Sequence, residues 1–205
     1  MNFSLNKKLI LLVIAGFSLA TVNAQVQFGA KGGLNLANLS VSGDNSGTSY
    51  SMRPSFYVGG MVAIPAFSDF SVQPEVVYSS QGSKLSNSGQ TGNYNFGYIN
   101  IPVLLKYNNE SGFFAETGPQ LGLLMSAKVS SGGTSVDVKD QLKSTDFSWA
   151  IGAGFLLPMN LGIDARYNIG LANIAKDQSN GQSIKNGVIQ IGVFYLFGER
   201  PSGKK

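Results

Sequence analysis

The chain has 205 residues, neither cysteine nor histidine, and a formal charge of +4. Disulfides, thiolate nucleophiles and imidazole bases are excluded, so the usual catalytic triads are too, and any metal site would need oxygen ligands. Only 13% of the residues are charged, against about 25% in an ordinary soluble domain. A chain of this length cannot hide that deficit in a very large core, so it calls for a non-aqueous neighbour.

The chain opens with a segment that reads as a leader. Lys7 and Lys8 precede an apolar run, Leu9 to Ala20, that is too short to span a bilayer as a helix. Val22-Asn23-Ala24 then offers small residues to a signal peptidase. Residues 1–24 are therefore expected to be a signal peptide, residues 25–197 the folded domain, and residues 198–205 a short tail. The positive balance sits mostly at the two ends, in Lys7, Lys8, Arg200, Lys204 and Lys205. Without Lys7, Lys8 and the segment from Glu199 onward, the chain has no net charge, so its basic character does not indicate a nucleic-acid partner.

Beyond the leader no stretch is apolar for about 18 residues, the length a membrane-spanning helix needs. Eight segments alternate with a period of two instead: Val26 to Leu36, Ser55 to Pro65, Phe70 to Gln81, Asn93 to Tyr107, Phe113 to Ala127, Thr145 to Leu157, Leu161 to Leu171 and Val188 to Phe197. Side chains of a strand point alternately to its two faces. In the fourth segment Ile99, Ile101, Val103, Leu105 and Tyr107 share one face, and Tyr98, Asn100, Pro102, Leu104 and Lys106 the other. Across all eight segments the apolar face carries no charge. A soluble barrel or sandwich would need polar residues on its outer face.

The connections alternate as well. Tight turns at 66–69, 108–111 and 158–160 separate long polar stretches at 37–54, 82–92, 128–144 and 172–186. Short turns at one end and long loops at the other are the layout of outer-membrane barrels. The segment Ile99–Tyr107, rising about 3.3 Å per residue at a tilt near 40°, would stand roughly 23 Å tall, close to the apolar band of such a barrel. The expected fold is an all-β, eight-stranded, antiparallel, up-and-down transmembrane β-barrel. Aromatics near the strand ends are expected to form two membrane girdles: Phe70, Tyr107, Phe113, Tyr195 and Phe197 toward the turns, and Phe56, Tyr78 and Trp149 toward the loops.

The charges on the inward face are Lys31, Lys106 and Arg166 against Glu75, Glu116 and Asp164. An eight-stranded barrel is only wide enough for side chains to fill. The six are therefore expected to form a salt-bridge network that plugs the lumen, with Lys106 seeking a carboxylate. Glu75 and Glu116 could be imagined as an acid–base pair. No substrate-sized cleft is expected, however, and Lys31 and Arg166 would keep both ionised. Glycine-rich stretches do not open helices, so nucleotide binding is not indicated. Inward glycines are expected to make room for large lumen side chains. Pro74, Pro102 and Pro119, inside strands, each predict a bulge or an unpaired neighbouring carbonyl. No catalytic residue, metal or cofactor is expected.

Four stretches carry a family resemblance: Phe28 to Asn35, Gln73 to Gly82, Tyr98 to Tyr107 and Arg166 to Leu171. Together they resemble the outer-membrane β-barrel (PorT-like, porin-like) family of Bacteroidetes-type bacteria. The resemblance implies export to the periplasm, a bacterial outer-membrane location and a lipid environment, with other envelope or secretion proteins as possible partners. Within that frame two functions compete, a non-enzymatic barrel with structural or interacting loops and a small or gated porin-like channel. A soluble periplasmic ligand-binding barrel is the third possibility.

Overall fold

The computed structural model describes residues 26–42, 49–87, 90–176 and 183–198. The expected leader, residues 1–24, lies outside the described residues. So does all of the expected tail except Gly198.

Among the described residues there are ten strands: β1 (Gln27–Ser42), β2 (Ser49–Phe67), β3 (Phe70–Gln81), β4 (Ser83–Asn87), β5 (Gln90–Asn108), β6 (Phe113–Ser131), β7 (Thr134–Asp137), β8 (Thr145–Leu156), β9 (Leu161–Gly170) and β10 (Ser183–Phe197). Eight of them close a ring in the order β1-β2-β3-β5-β6-β8-β9-β10, with β10 returning to β1. Every pairing is antiparallel, and each ring strand pairs with its neighbours in sequence. This is a closed up-and-down barrel, so the ring itself has no open edge. Strand β4 prolongs β3 past Gly82, whose φ of 125° favours glycine. Strand β7 is a short hairpin on β6.

The period-two pattern becomes two surfaces. Phe28, Leu34, Val58, Val76, Val103, Ile151, Ile163 and Ile191 lie exposed on the outside. Two outward polar groups, of Trp149 and Thr117, are paired off within the wall. Trp149 Nε1 donates to Thr117 Oγ1 at 2.9 Å, and Thr117 Oγ1 donates to the Ala150 carbonyl at 3.0 Å. Lipid requires such pairing, because it offers no hydrogen bonds. Among the described strand residues the exposed lysines, Lys84, Lys128 and Lys185, lie toward the loop end.

One expectation is corrected and another is narrowed. The stretches at 37–54, 82–92, 128–144 and 172–186 are not simply loops, since β1, β2, β5, β6 and β10 all continue into them. In these extensions the hydrophobic alternation fades while the backbone ladder goes on. Of the two outcomes expected at Pro74, Pro102 and Pro119, the bulge is absent, which leaves the unpaired neighbouring carbonyl. The β3–β5 register is the same at Pro74↔Val103 and at Val77↔Asn100, and the β5–β6 register the same at Pro102↔Gln120 and at Leu105↔Thr117. A missing N–H removes a rung without inserting a residue. The register shifts fall elsewhere, between Pro65 and Phe67 and between Gly97 and Tyr98.

Candidate functional site

The lumen is filled in layers. At the turn end Met61, Phe114, Phe194 and Leu196 form a buried apolar cap. The rings of Phe114 and Phe194 meet edge to face, 5.7 Å between centroids. Each ring occupies space left by an inward glycine: a Cβ on Gly154 would strike Phe114, and one on Gly162 would strike Phe194. Tyr57 likewise lies over Gly192.

Above this cap sits the ion network. Because side chains at alternate positions share a face, Lys31 on β1, Glu75 on β3, Glu116 on β6, and Asp164 and Arg166 on β9 all project inward. Arg166 Nη1 and Nη2 donate to Glu75 Oε2 and Oε1 at 3.0 and 2.9 Å. Its Nε donates to Glu116 Oε1 at 2.8 Å. Lys31 Nζ donates to Glu75 Oε1 at 3.3 Å and to Asp164 Oδ2 at 3.1 Å. All five side chains are at most 4% exposed. One guanidinium thus joins two carboxylates, and one ammonium joins two, so that strands from opposite parts of the ring are tied across the lumen. Buried charges are retained when every member is paired in this way.

Lys106 departs from the expectation. It is buried, and its backbone is the register partner of Glu116. Yet no carboxylate lies within salt-bridge distance of its Nζ among the described residues. The ammonium instead sits 3.6 Å from the Phe114 ring centroid and 4.8 Å from that of Phe194. Its polar contact is Gln73 Oε1, at 3.4 Å. The guanidinium occupies Glu116 with several donors in a planar fork that a single ammonium cannot match, while the facing rings stabilise the displaced cation.

Two members of the site were not singled out in the sequence. Gln73 Nε2 donates to Glu75 Oε1 at 2.8 Å, and Tyr57 OH to Asp164 Oδ1 at 3.4 Å. Their inward parity was the available signal. An amide and a phenol draw less notice there than a charge.

The expected girdle residues lie on the outer surface, with Phe56, Tyr78, Phe113, Trp149, Tyr195 and Phe197 exposed and Phe70 and Tyr107 half-buried. Neighbouring members touch: Phe56 with Tyr78, Phe70 with Tyr107, and Tyr195 with Phe197, at centroid distances of 6.0, 5.3 and 5.4 Å.

Beyond the ion network a layer of amides and hydroxyls follows. Asn35 Nδ2 donates to Ser79 Oγ and the Ser80 carbonyl, and Gln190 Nε2 donates to Asn35 Oδ1. The loop end is closed by a second apolar cluster, Leu39, Phe96, Tyr98, Leu124, Ala127, Leu142 and Ile174. Leu142 and Ile174 enter it from connections rather than strands. Backbone bonds hold them there, from Lys143 N to the Ile174 carbonyl and from Ile174 N to the Ile184 carbonyl.

Residues 20–176, more than half of the chain, match the family described as outer membrane protein beta-barrel domain. The chain belongs to that family. Its members are bacterial outer-membrane proteins, so lipid is the medium that meets the apolar face. Among solved structures the fold is similar to that of Neisserial surface protein A, at a TM-score of 0.52 and 18% identity, covering 83% of this chain and 97% of that one. It is also similar to the outer membrane protein OprG from Pseudomonas aeruginosa, at a TM-score of 0.50 and 13% identity, covering 84% and 96%. Identities this low carry the fold alone. No curated protein matches the sequence.

Proposed function

We propose that this outer-membrane barrel is non-enzymatic and sealed, and that it serves as an anchor for strand extensions and loops with structural or interaction roles. The observation that carries the reading is the ion network. Four strands send five buried, mutually paired charges across a lumen that eight strands make only wide enough for side chains. Glu75 and Glu116 share one arginine, which leaves neither free as an acid or a base. The finer placement, a PorT-like protein exported by a leader at residues 1–24, is supported by the four quoted stretches and by the basic, apolar and small-residue order of the first residues. In this reading the tight turns face the periplasm, the aromatic pairs sit at the two lipid interfaces, and partners are other envelope or secretion proteins that meet the loop end.

A gated channel is the second reading, and one observation favours it. Lys106 stands opposite Glu116 in register but is not paired with it, so the charges have an alternative pairing to move into. Purified protein in a planar bilayer separates the two. The sealed barrel gives no stable unit currents, and a gated channel gives discrete steps.

A further inference from the structure

Between the amide layer and the loop-end cluster, Asp146 on β8 is buried and has no basic partner among the described residues. Its Oδ2 accepts a hydrogen bond from Asn186 Nδ2 at 2.7 Å, and its Oδ1 has no partner. Asn186 is buried too, its Oδ1 is also unpartnered, and its Nδ2 lies 3.4 Å from Tyr98 OH. Asn100 shares a row with Gly122 and Asp146 across three strands. A Cβ added to Gly122 would lie 3.0 Å from Asn100 Oδ1, 3.3 Å from Tyr98 Cδ1 and 3.4 Å from Asp146 Cβ. The missing side chain therefore lets these three groups converge.

The charge bookkeeping of the lumen isolates this carboxylate. The inward residues below it, Lys31, Lys106 and Arg166 against Glu75, Glu116 and Asp164, are already neutral as a set. A buried, uncompensated carboxylate is costly. The acceptor oxygens beside it are those of amides and a phenol, the neutral ligands that suit a hard cation.

We infer that Asp146, Asn186, Tyr98 and Asn100 form a binding site for one small monovalent cation, sodium or potassium, in the loop-end half of the lumen. The single negative charge sets the valence. Divalent sites recruit further carboxylates, and among the described residues no group of three or more acidic side chains is arranged to hold a metal ion. The lysines and arginine of the ion network repel a cation at the turn end and leave this level as the place where one is held. The occupant neutralises Asp146 and takes up the two oxygens that are otherwise unpartnered, Asp146 Oδ1 and Asn186 Oδ1, so it binds the folded barrel and not the unfolded chain. It therefore stabilises the fold in proportion to the logarithm of its concentration.

The test is the urea-unfolding midpoint of the refolded full chain in lipid vesicles, in sodium, potassium or choline chloride at equal ionic strength. For the wild type, the midpoint rises steadily with sodium or potassium concentration and not with choline. In Asp146→Asn the cation response disappears, while stability in choline equals or exceeds that of the wild type. Equal midpoints in all three salts overturn the inference, and so does an unchanged response in Asp146→Asn. A protonated-carboxyl infrared band of Asp146 that persists in sodium chloride overturns it as well. Should the variant fail to refold, crystals of the wild type grown with thallium(I) decide. An anomalous peak between Asp146 and Asn186 supports the site, and none there overturns it.

Discussion

Arg166 and Glu75 meet across the lumen through two parallel hydrogen bonds, at 3.0 and 2.9 Å, from strands that are not neighbours in the ring. This contact spans the lumen, while Lys31 and Glu116 extend it to β1 and β6. Removing Glu75 takes one carboxylate from each of two cations, leaving Arg166 with Glu116 and Lys31 with Asp164 and one buried positive charge in excess. Glu75→Ala is expected to cost about 3–5 kcal/mol, as loss of one partner in a buried pair does. Replacing all six inward charges, Lys31, Glu75, Lys106, Glu116, Asp164 and Arg166, together by apolar residues of similar volume recovers much of the loss, because no buried charge is then left unpaired. Urea-unfolding midpoints in lipid vesicles check both values, and an unchanged midpoint in Glu75→Ala contradicts the assignment.

Lys106 and Arg166 are both buried inward cations, yet their surroundings rank them differently. Arg166 is held by two carboxylates, and Lys106 by two aromatic rings and one amide oxygen. Arg166→Met therefore destabilises the barrel more than Lys106→Met does, because it leaves the buried Glu116 unpaired and Glu75 with Lys31 alone, while the latter forfeits chiefly a cation–π contact of about 2 kcal/mol or less. Equal losses, measured in parallel unfolding titrations, would show that Lys106 is tied to a carboxylate in solution.

Gly162 makes room for the Phe194 ring that closes the turn end. Gly162→Ala forces that ring aside, an overpacking cost of about 1–3 kcal/mol. Phe194→Leu, in the same chain, relieves it. A double variant no more stable than Gly162→Ala alone would argue against the contact.

These contacts differ in how legible they are in the sequence. Parity alone placed Lys31, Glu75, Glu116, Asp164 and Arg166 in the lumen, because a strand offers only two directions and lipid forbids charge on one of them. Parity also brought Lys106 inward, but it could not say which carboxylate an ammonium meets. That choice depends on reach and on competition with a guanidinium. The roles of Gly154, Gly162 and Gly192 were foreseen only in kind, since matching a glycine to a ring needs the cross-strand register. The members that the connections add to the loop-end cluster were not legible. Leu142 and Ile174 are isolated apolar residues in polar connections, without a period to reveal them.

Ile174 is fully buried in that cluster although it belongs to a connection. Ile174→Asp is expected to loosen the loop end without unfolding the ring, since the ring ladders do not pass through it. Protease cleavage between β9 and β10 then accelerates, while the heat-dependent gel mobility of the folded barrel persists. Loss of that mobility shift would mean that the cluster, rather than the ring, holds the fold.

The sealed lumen is tested most directly by single-channel recording in planar bilayers, comparing wild type with a variant whose plug is removed by Lys31→Ala, Glu75→Ala, Asp164→Ala and Arg166→Ala together. Wild type should give no stable unit currents, and the variant should give discrete steps if it still shows heat-dependent mobility. Stable unit conductance from the pure wild-type protein would contradict the plugged barrel.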